Sequence, residues 1–308
     1  MKQTLKSDFY IGRFAPSPTG PLHFGSLLAA TASFLDARAQ QGKWLLRMED
    51  LDKPREVNGA ADDILRTLAA FGFQWDGPVV YQSQQLSRYQ AILEDLHQQR
   101  LVYPCGCSRR EIAEHGKAGS DGLIYPGTCR DGLHGKAARA WRLWVPEVVI
   151  NVEDRIQSAF KQSLSRDVGD FVLRRADGIF AYQLAVVADD AWQGITHIVR
   201  GTDLLNSTPR QILLQRYLNY PEPNYAHLPV ATTHDGQKLS KQTRAQPVRA
   251  ANTGQVICQV LTLLGMQPPI GLARAALSEI WSWAIQNWQI NKVPRCLKLP
   301  APPIHSSI

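Results

Sequence analysis

The start of the chain alternates short apolar runs with helical patterns, and this alternation restricts the fold more than any other feature. A strand is expected over residues 8–14, a Pro- and Gly-rich loop over 15–21, an Ala/Leu-rich helix over 22–42 and a second strand over 44–48. Helical patterns return over 57–73 and 85–99. Strands separated by helices of this length are typical of βαβ units. The pattern therefore predicts an α/β protein built on a parallel sheet.

Composition narrows the class of protein. The chain has 308 residues, of which 44% are apolar and 20% charged, a balance that is typical of a globular protein and excludes collagen and coiled coils. Because no apolar run is long enough for a bilayer and residues 1–8 are too polar for a signal peptide, we expect a cytoplasmic protein without membrane contact. The net charge of +7 is compatible with a polyanionic partner such as nucleic acid.

The parallel pattern is interrupted in the middle of the chain. Residues 98–175 carry three cysteines, Gly-rich loops, a capping box at 108–111 and a strand-like run over 139–150. Apolar runs of strand length then follow at 179–187 and 195–200, and residues 208–211 combine a capping pair with a Pro at a helix start. We predict one domain in two halves (1–97 and 176–242), an insertion (98–175) and a short helical tail (243–308).

The segment 14–26 joins the first strand to the first helix. Nucleotides bind at such a helix N-terminus, because backbone N–H groups there face the phosphates. Gly25 would let an adenine lie against the backbone, and His23 could donate to a phosphate oxygen. An ordinary Pro-rich loop with a surface histidine is the alternative for this segment alone.

A second segment, 235–242, carries two lysines on a loop that contains Gly and Ser. Lys238 and Lys241 can close on a triphosphate and offset the charge that develops on a leaving pyrophosphate. A lone pair of this kind is usually a solvated surface, but its combination with the histidine loop favours a nucleoside triphosphate. The candidate phosphate-binding residues are His23, Gly25, Ser26, Lys238, Ser240 and Lys241.

The segments 23–26 and 238–242 resemble the two signature motifs of the class I aminoacyl-tRNA synthetases. Five more segments look like the glutamyl branch of that family: 13–20, 47–52, 199–205, 208–211 and 226–229. The resemblance covers residues 8 to 242 and implies a Rossmann-type catalytic domain that activates an amino acid with ATP and Mg²⁺. It implies that the six candidate phosphate-binding residues bind ATP and that His23 and Lys241 are the catalytic pair. Ser26, Leu51 and Gln242 depart from the residues that are usual in the family.

The glutamyl character agrees with the chemistry of a substrate that has a side-chain carboxylate. Such a substrate needs a buried Arg, which is always charged and binds carboxylates with two parallel hydrogen bonds. Glu49 is expected to face the α-ammonium, and Tyr182 to donate a hydrogen bond; structural ion pairs are the alternative for each charged residue. The predicted glutamate-binding residues are Arg13, Ala15, Ser17, Glu49, Tyr182 and Arg200.

Three of the five cysteines lie close together in the sequence, and their odd total without an export signal argues against a disulfide framework. Two cysteines on one turn and a distant third are typical of a structural zinc site, which needs a fourth ligand. Histidine is the ordinary choice, whereas the resemblance to bacterial glutamyl-type enzymes implies a tyrosine; three thiols without metal are the alternative. The predicted ligands are Cys105, Cys107, Cys129 and either Tyr125, His115 or His134.

The 66 residues after Gln242 are too few for the anticodon-binding domains of a complete glutamyl-tRNA synthetase. The resemblance therefore implies a truncated paralogue group, which activates L-glutamate without tRNA and attaches it to queuosine, the wobble base of tRNA(Asp). Two alternatives stay open: a short synthetase that charges the tRNA 3′ end, and an inactive sensor of tRNA or adenylate.

The tail has an aromatic face. Trp281, Ala284, Ile285 and Trp288 fall on one side of a helix by spacing, and we predict that this side packs on the catalytic domain. A platform for nucleic acid, formed by the tryptophans and the basic residues of the tail, is the alternative. The chain is expected to be a monomer.

Overall fold

The computed structural model of the chain describes residues 9–119, 122–233, 237, 248 and 252–301. Its helices are α1 (Phe24–Ala39), α2 (Ala60–Ala70), α3 (Leu86–Gln98), α4 (Arg109–His115), α5 (Leu164–Asp167), α6 (Tyr182–Trp192), α7 (Thr208–Tyr217), α8 (Thr253–Leu263) and α9 (Leu277–Asn287). Its strands are β1 (Ile11–Phe14), β2 (Lys43–Met48), β3 (Val80–Tyr81), β4 (Val102–Cys105), β5 (Lys117–Gly119), β6 (Gly122–Ile124), β7 (Ala140–Leu143), β8 (Val149–Val152), β9 (Phe160–Ser163), β10 (Val172–Arg174), β11 (His197–Gly201), β12 (Asn224–Leu228), β13 (Val230–Thr232) and β14 (Lys298–Pro300).

A parallel sheet forms the centre of the fold. Strands β1, β2 and β3 pair in parallel, as do β11 and β12. The Thr196 N–H, just before β11, donates to the Ile11 carbonyl at 2.9 Å, so β11 lies on the other side of β1 from β2. The order is therefore β3-β2-β1-β11-β12, which reverses between β1 and β11, the place where α/β proteins bind ligands. The predicted parallel α/β fold is confirmed.

The chain between β3 and β11 changes to antiparallel pairing. Strands β4, β7 and β10 form one antiparallel sheet, and β5–β6 and β8–β9 form antiparallel pairs. The predicted capping box is confirmed at α4, where the Glu111 N–H donates to Ser108 Oγ at 3.2 Å and the Ser108 N–H donates to Glu111 Oε2 at 2.7 Å. This change of pairing is what an insertion predicts, while the exact domain boundaries stay a prediction.

The tail packs against α1 and the first strands of the parallel sheet, which agrees with the prediction that its aromatic side packs on the α/β part of the chain. Trp281, Ala284 and Trp288 are buried in the same apolar cluster as α1, and Ile285 packs against it while partly exposed. The predicted helical tail contains α8 and α9 but also a strand that was not predicted, since β14 pairs in parallel with β13. Residues 298–300 supply the backbone hydrogen-bonding partner that β13 needs along this edge.

Two local predictions are also corrected. The run 179–187, predicted as a strand, contains the start of helix α6, in which every residue from 183 to 190 is buried. A helix buried on most sides loses its apolar period, so a short run of this kind fits a strand equally well. Helix α7 begins at Thr208 with Pro209 in its first turn, but the Thr208 hydroxyl does not cap it and instead accepts from Arg200.

Within the described part of the chain, no helix combines the length and apolar character needed to span a bilayer.

Candidate active site

A cavity of about 470 Å³ lies at the carboxyl ends of β1 and β11, where the strand order reverses. The structure brings nine predicted residues to its wall: Arg13, Ala15, Ser17, His23, Gly25, Ser26, Glu49, Tyr182 and Arg200. Lys238, Ser240, Lys241 and Gln242 lie outside the described residues, so the predicted roles of the lysine loop stay predictions.

His23 occupies the N-cap of α1, at the cavity wall. The Ser26 N–H donates to His23 Nδ1 at 3.2 Å, and Ser26 Oγ lies 3.1 Å from His23 Nε2. Both nitrogens of the imidazole are therefore within hydrogen-bond reach of Ser26, one of the residues that departs from the usual signature. Ser26 therefore orients the His23 ring. The N-terminus of α1 faces the cavity.

Arg13 is held by a buried ion cluster behind the cavity. Its Nε donates to Asp190 Oδ1 at 3.1 Å, and Arg47 Nη1 donates to the same oxygen at 2.8 Å. Burial opposes ionisation of Asp190, but the two guanidinium groups prevail and lower its pKa below the ordinary value. The cluster therefore fixes Arg13 as a charged donor at the end of β1, while Asp190 offsets part of the desolvation of both arginines.

Glu49 lies next to this cluster and lines the cavity. Arg47 Nη2 donates to Glu49 Oε1 at 3.3 Å, and the Glu49 side chain is 11% exposed. Burial raises the pKa of Glu49, since it outweighs the attraction of Arg47 and Arg13. A cationic ligand group beside Glu49 would favour its ionised form.

Arg200 enters the cavity from the end of β11. Its side chain donates to His227 Nε2 at 3.0 Å through Nε and to Thr208 Oγ1 at 2.8 Å through Nη2. Its Nη1 lies 3.5 Å from the Tyr182 hydroxyl, which also lines the cavity. Arg13 and Arg200 thus reach one cavity from two neighbouring strands, and together they can bind an anionic substrate.

A second cavity of about 300 Å³ adjoins the first. The two share Ser17, Thr19, Glu49 and Tyr182 in their walls. The second continues between the loop after β2 and the start of α6. A molecule in this second cavity would meet the first along the wall that they share.

The cysteine cluster lies apart from these cavities, between β4 and the loop after β6. The Sγ atoms of Cys105, Cys107 and Cys129 lie within 4.8 Å of one another, and the Cys107–Cys129 separation is 3.6 Å. Thiolates on a tetrahedral zinc ion are expected about 3.8 Å apart, so the arrangement fits a metal. The Tyr125 hydroxyl lies 3.4 Å from the Sγ atoms of Cys105 and Cys107.

The two histidine alternatives do not join this cluster. Among the described residues, the group of close metal-ligating atoms contains the three cysteines and no histidine. His115 and His134 are both exposed. The geometry therefore favours Tyr125 as the fourth group.

Three residues of the site, Asp190, His227 and Asp154, were not predicted from the sequence. Asp190 had a weak signal, because Asp189 and Asp190 are adjacent charges inside an apolar run. His227 lay in a segment that was noted only for its resemblance. Asp154, which contacts His227, had no signal at all, since its role depends on a fold contact 73 positions away.

Comparisons with known proteins agree with this geometry. A family described as tRNA synthetases class I (E and Q), catalytic domain, matches residues 11–282. The glutamyl-Q tRNA(Asp) synthetase of Dechloromonas aromatica is 59% identical over 297 residues, which are 95% of this chain and 99% of the relative. The protein of the same name from Chromobacterium violaceum is 54% identical, over 94% of this chain and 97% of its own length.

Solved structures show the same fold. A glutamate-tRNA synthetase from Elizabethkingia anophelis superposes with a TM-score of 0.74 at 25% identity, covering 92% of this chain and 66% of the solved chain. A glutamate tRNA ligase from Elizabethkingia meningosepticum gives a TM-score of 0.76 at 24% identity, over 96% of this chain and 67% of the other. This chain thus spans about two thirds of each. By its sequence, its fold and the residues around its cavity, the chain belongs to the family of class I tRNA synthetase catalytic domains for glutamate and glutamine.

Proposed function

We propose that this protein activates L-glutamate with ATP and transfers it to queuosine in tRNA(Asp). The observation that carries this proposal is the near full-length similarity, at 52–59% identity, to proteins named glutamyl-Q tRNA(Asp) synthetase. The cavity supports it, because two buried arginines and Tyr182 face the same space as Glu49. That set suits a ligand with two carboxylates and one ammonium group.

In the proposed complex, Arg13 and Arg200 bind glutamate carboxylate oxygens and Glu49 binds the α-ammonium. Tyr182 donates a hydrogen bond, and the backbone around Ala15 and Ser17 closes the pocket. Glutamine is discriminated against, because a neutral amide leaves a buried guanidinium without its anionic partner.

The activation step joins glutamate to AMP. The α-carboxylate of glutamate attacks the α-phosphorus of ATP, forming a C–O–P anhydride and releasing pyrophosphate. His23 and the N-terminus of α1 face the phosphates, and Lys241, with Lys238 and Ser240, offsets the charge on the leaving group. Mg²⁺ accompanies ATP and neutralises part of the triphosphate charge.

The transfer step needs an acceptor that reaches the activated carboxyl. We infer that the acceptor nucleoside enters through the second cavity, which shares Glu49 and Tyr182 with the first. An acceptor hydroxyl attacks the glutamyl carbonyl carbon, the bond from that carbon to the phosphate oxygen breaks, and AMP leaves with the bond electrons while the hydroxyl proton is released to solvent. No covalent enzyme intermediate is required.

The proposal is tested by incubating the protein with ATP, labelled glutamate and two matched tRNA pools, one with queuosine and one without. We expect label only in the queuosine pool. Equal label in both pools would indicate a short synthetase that charges the 3′ end. Label in neither pool, together with no glutamate-dependent exchange of pyrophosphate into ATP, would indicate a sensor.

We also propose that Cys105, Cys107, Cys129 and Tyr125 bind one structural zinc ion. The metal would cross-link β4 to the loop after β6, where Cys105, Tyr125 and Cys129 form the buried part of a small apolar cluster. We expect the purified protein to contain one zinc per chain by elemental analysis, and Cys107→Ser to lose it. Cys258→Ser, which changes a cysteine in α8, is the matched control and should keep its zinc; a metal-free wild type would contradict the proposal.

A further inference from the structure

A chain of buried groups extends behind Arg200, away from the cavity. Arg200 Nε donates to His227 Nε2 at 3.0 Å, and His227 Nδ1 lies 2.6 Å from Asp154 Oδ2. An Arg N–H can only donate, so Nε2 of His227 must accept and carries no proton. The imidazole proton is therefore on Nδ1 and is donated to the Asp154 carboxylate.

Burial keeps this histidine neutral. The side chains of His227 and Asp154 are both fully buried. Burial, together with the charge of Arg200, lowers the pKa of His227 to about 4 against the opposing effect of Asp154. At neutral pH the imidazole is thus a neutral link with one defined donor and one defined acceptor.

Asp154 is itself fixed by the backbone around it. It lies in the loop between β8 and β9, and its Oδ1 accepts from the N–H groups of Ile156 at 2.9 Å and Gln157 at 2.7 Å. The same oxygen accepts from the His227 N–H at 3.2 Å. The loop also joins the parallel sheet, since the Arg155 N–H donates to the Tyr225 carbonyl at 2.9 Å. Asp154 is therefore a rigid point on the antiparallel part of the molecule.

We propose that Asp154 and His227 are positioning residues that hold the Arg200 guanidinium in its orientation for the substrate carboxylate. The inference rests on the proposed function, because it takes Arg200 as a glutamate ligand. Neither residue lines the cavity, so both act through Arg200. We call the hydrogen-bonded groups Asp154, His227 and Arg200 the relay. Through the relay, the affinity for glutamate depends on how the β8–β9 loop packs against β12.

Asp154→Asn tests the relay with almost no change of shape. The Asn oxygen keeps the three backbone hydrogen bonds at Oδ1, because the reversed amide would place donors against three N–H groups. Its NH₂ group then faces His227 Nδ1, which must accept and move the imidazole proton to Nε2. That proton meets the Arg200 Nε–H, so two donors face each other and Arg200 loses a hydrogen bond.

The readout is glutamate-dependent exchange of pyrophosphate into ATP. We expect the KM for glutamate to rise about 10- to 100-fold in Asp154→Asn, the range for losing a hydrogen bond to a charged group. The KM for ATP should stay within about twofold of the wild type. Asp167→Asn is the matched control, since it changes another carboxylate between β4 and β11 that accepts a backbone N–H, from Ser163 at 3.0 Å.

A pair of substitutions at His227 gives a second test that does not depend on Asp154. His227→Gln places an acceptor oxygen near the position of Nε2, so it should retain a lower KM for glutamate than His227→Ala. An unchanged KM for glutamate in folded Asp154→Asn, equal KM values in the two His227 variants, or equal rises for glutamate and ATP would overturn the inference. A wild type without glutamate-dependent exchange would refute the proposed function instead.

Discussion

Single residues of the site depend on charges that are buried together. Asp190 and Arg47 are each 3% exposed or less, and with Arg13 they form one network behind the cavity. A buried ion pair adds little net stability compared with apolar packing, but the loss of one partner is costly. The main effect of the network is therefore to hold the Arg13 side chain in one orientation.

Asp190→Asn should lower the free energy of unfolding by about 3–5 kcal/mol, because it leaves Arg13 and Arg47 without their shared carboxylate. The measurement is urea denaturation at pH 7. Asp177→Asn is the control, since Asp177 forms an exposed pair with Arg175 and its loss should cost about 0–1 kcal/mol. Equal stability of the two variants would show that the buried network does not stabilise the fold.

His197 should make stability depend on pH. Its ring stacks on Tyr10 with 4.0 Å between centroids, and burial lowers its pKa to about 4. In the unfolded chain the histidine protonates at about pH 6.5, before it does in the folded protein. The stability that neutral His197 contributes is therefore complete above that pH and is lost as the pH falls towards the pKa of the folded protein. His197→Gln should therefore lose less stability than the wild type between pH 7 and pH 5.

Urea denaturation at the two pH values measures this difference. His115→Gln, which changes an exposed histidine, is the control and should keep the pH dependence of the wild type. The same loss of stability in His197→Gln and in the wild type would contradict the assignment.

At the scale of elements, α9 shows why an aromatic face does not by itself indicate an RNA platform. The Trp281 ring lies 5.0 Å from that of Phe34 and 4.8 Å from that of Phe73, and its Nε1–H donates to the Phe71 carbonyl at 3.0 Å. The apolar residues of α9 are spaced as on a helix face that packs in a core, and the structure places them in the core. The tail is therefore part of the apolar core around α1.

Trp281→Ala should lower the free energy of unfolding by about 3–5 kcal/mol, since it opens a cavity among aromatic rings. Trp281→Phe should cost less, because most of the ring contacts remain while the hydrogen bond to Phe71 is lost. Trp144→Ala, at a side chain that is 39% exposed, is the control and should change stability by at most about 0.5 kcal/mol. Coinciding denaturation curves for Trp281→Ala and Trp144→Ala would show that packing of Trp281 does not stabilise the fold.

At the scale of the whole molecule, Asp36 of α1 connects parts that are distant in the sequence. Its carboxylate accepts from the Tyr10 hydroxyl, from Arg155 in the β8–β9 loop and, at 3.1 Å, from Trp288 Nε1 after α9. Asp36 is 2% exposed, so these contacts are shielded from water. They join the sheet, the antiparallel part and the tail to one carboxylate.

Because of this connection, α9 should unfold together with α1 rather than before it. Hydrogen exchange followed by mass spectrometry should give peptides from α1 and α9 the same opening free energy. Asp36→Asn should lower both by the same amount. A lower value for α9 alone in the wild type would show that the tail opens independently.

The sequence by itself predicted the α/β fold class and nine of the residues that line the cavity. The α/β alternation, the capping box at Ser108, the cysteine spacing and the nine described cavity residues are all local patterns, and local patterns follow from backbone propensity and motif. The roles of those residues and of Lys241 in binding and catalysis stay predictions, which glutamate-dependent exchange of pyrophosphate into ATP can test.

Tertiary structure decided which buried polar groups meet. Asp190 lies 177 positions from Arg13, and Asp154 lies 73 positions from His227, yet each pair is in hydrogen-bond contact. It also decided that 183–190 is helical, because burial on most sides removed the period that distinguishes a helix from a strand. A hydrogen bond needs two atoms within about 3 Å, and that proximity is set by how helices and strands pack rather than by the residues that adjoin each atom in the chain.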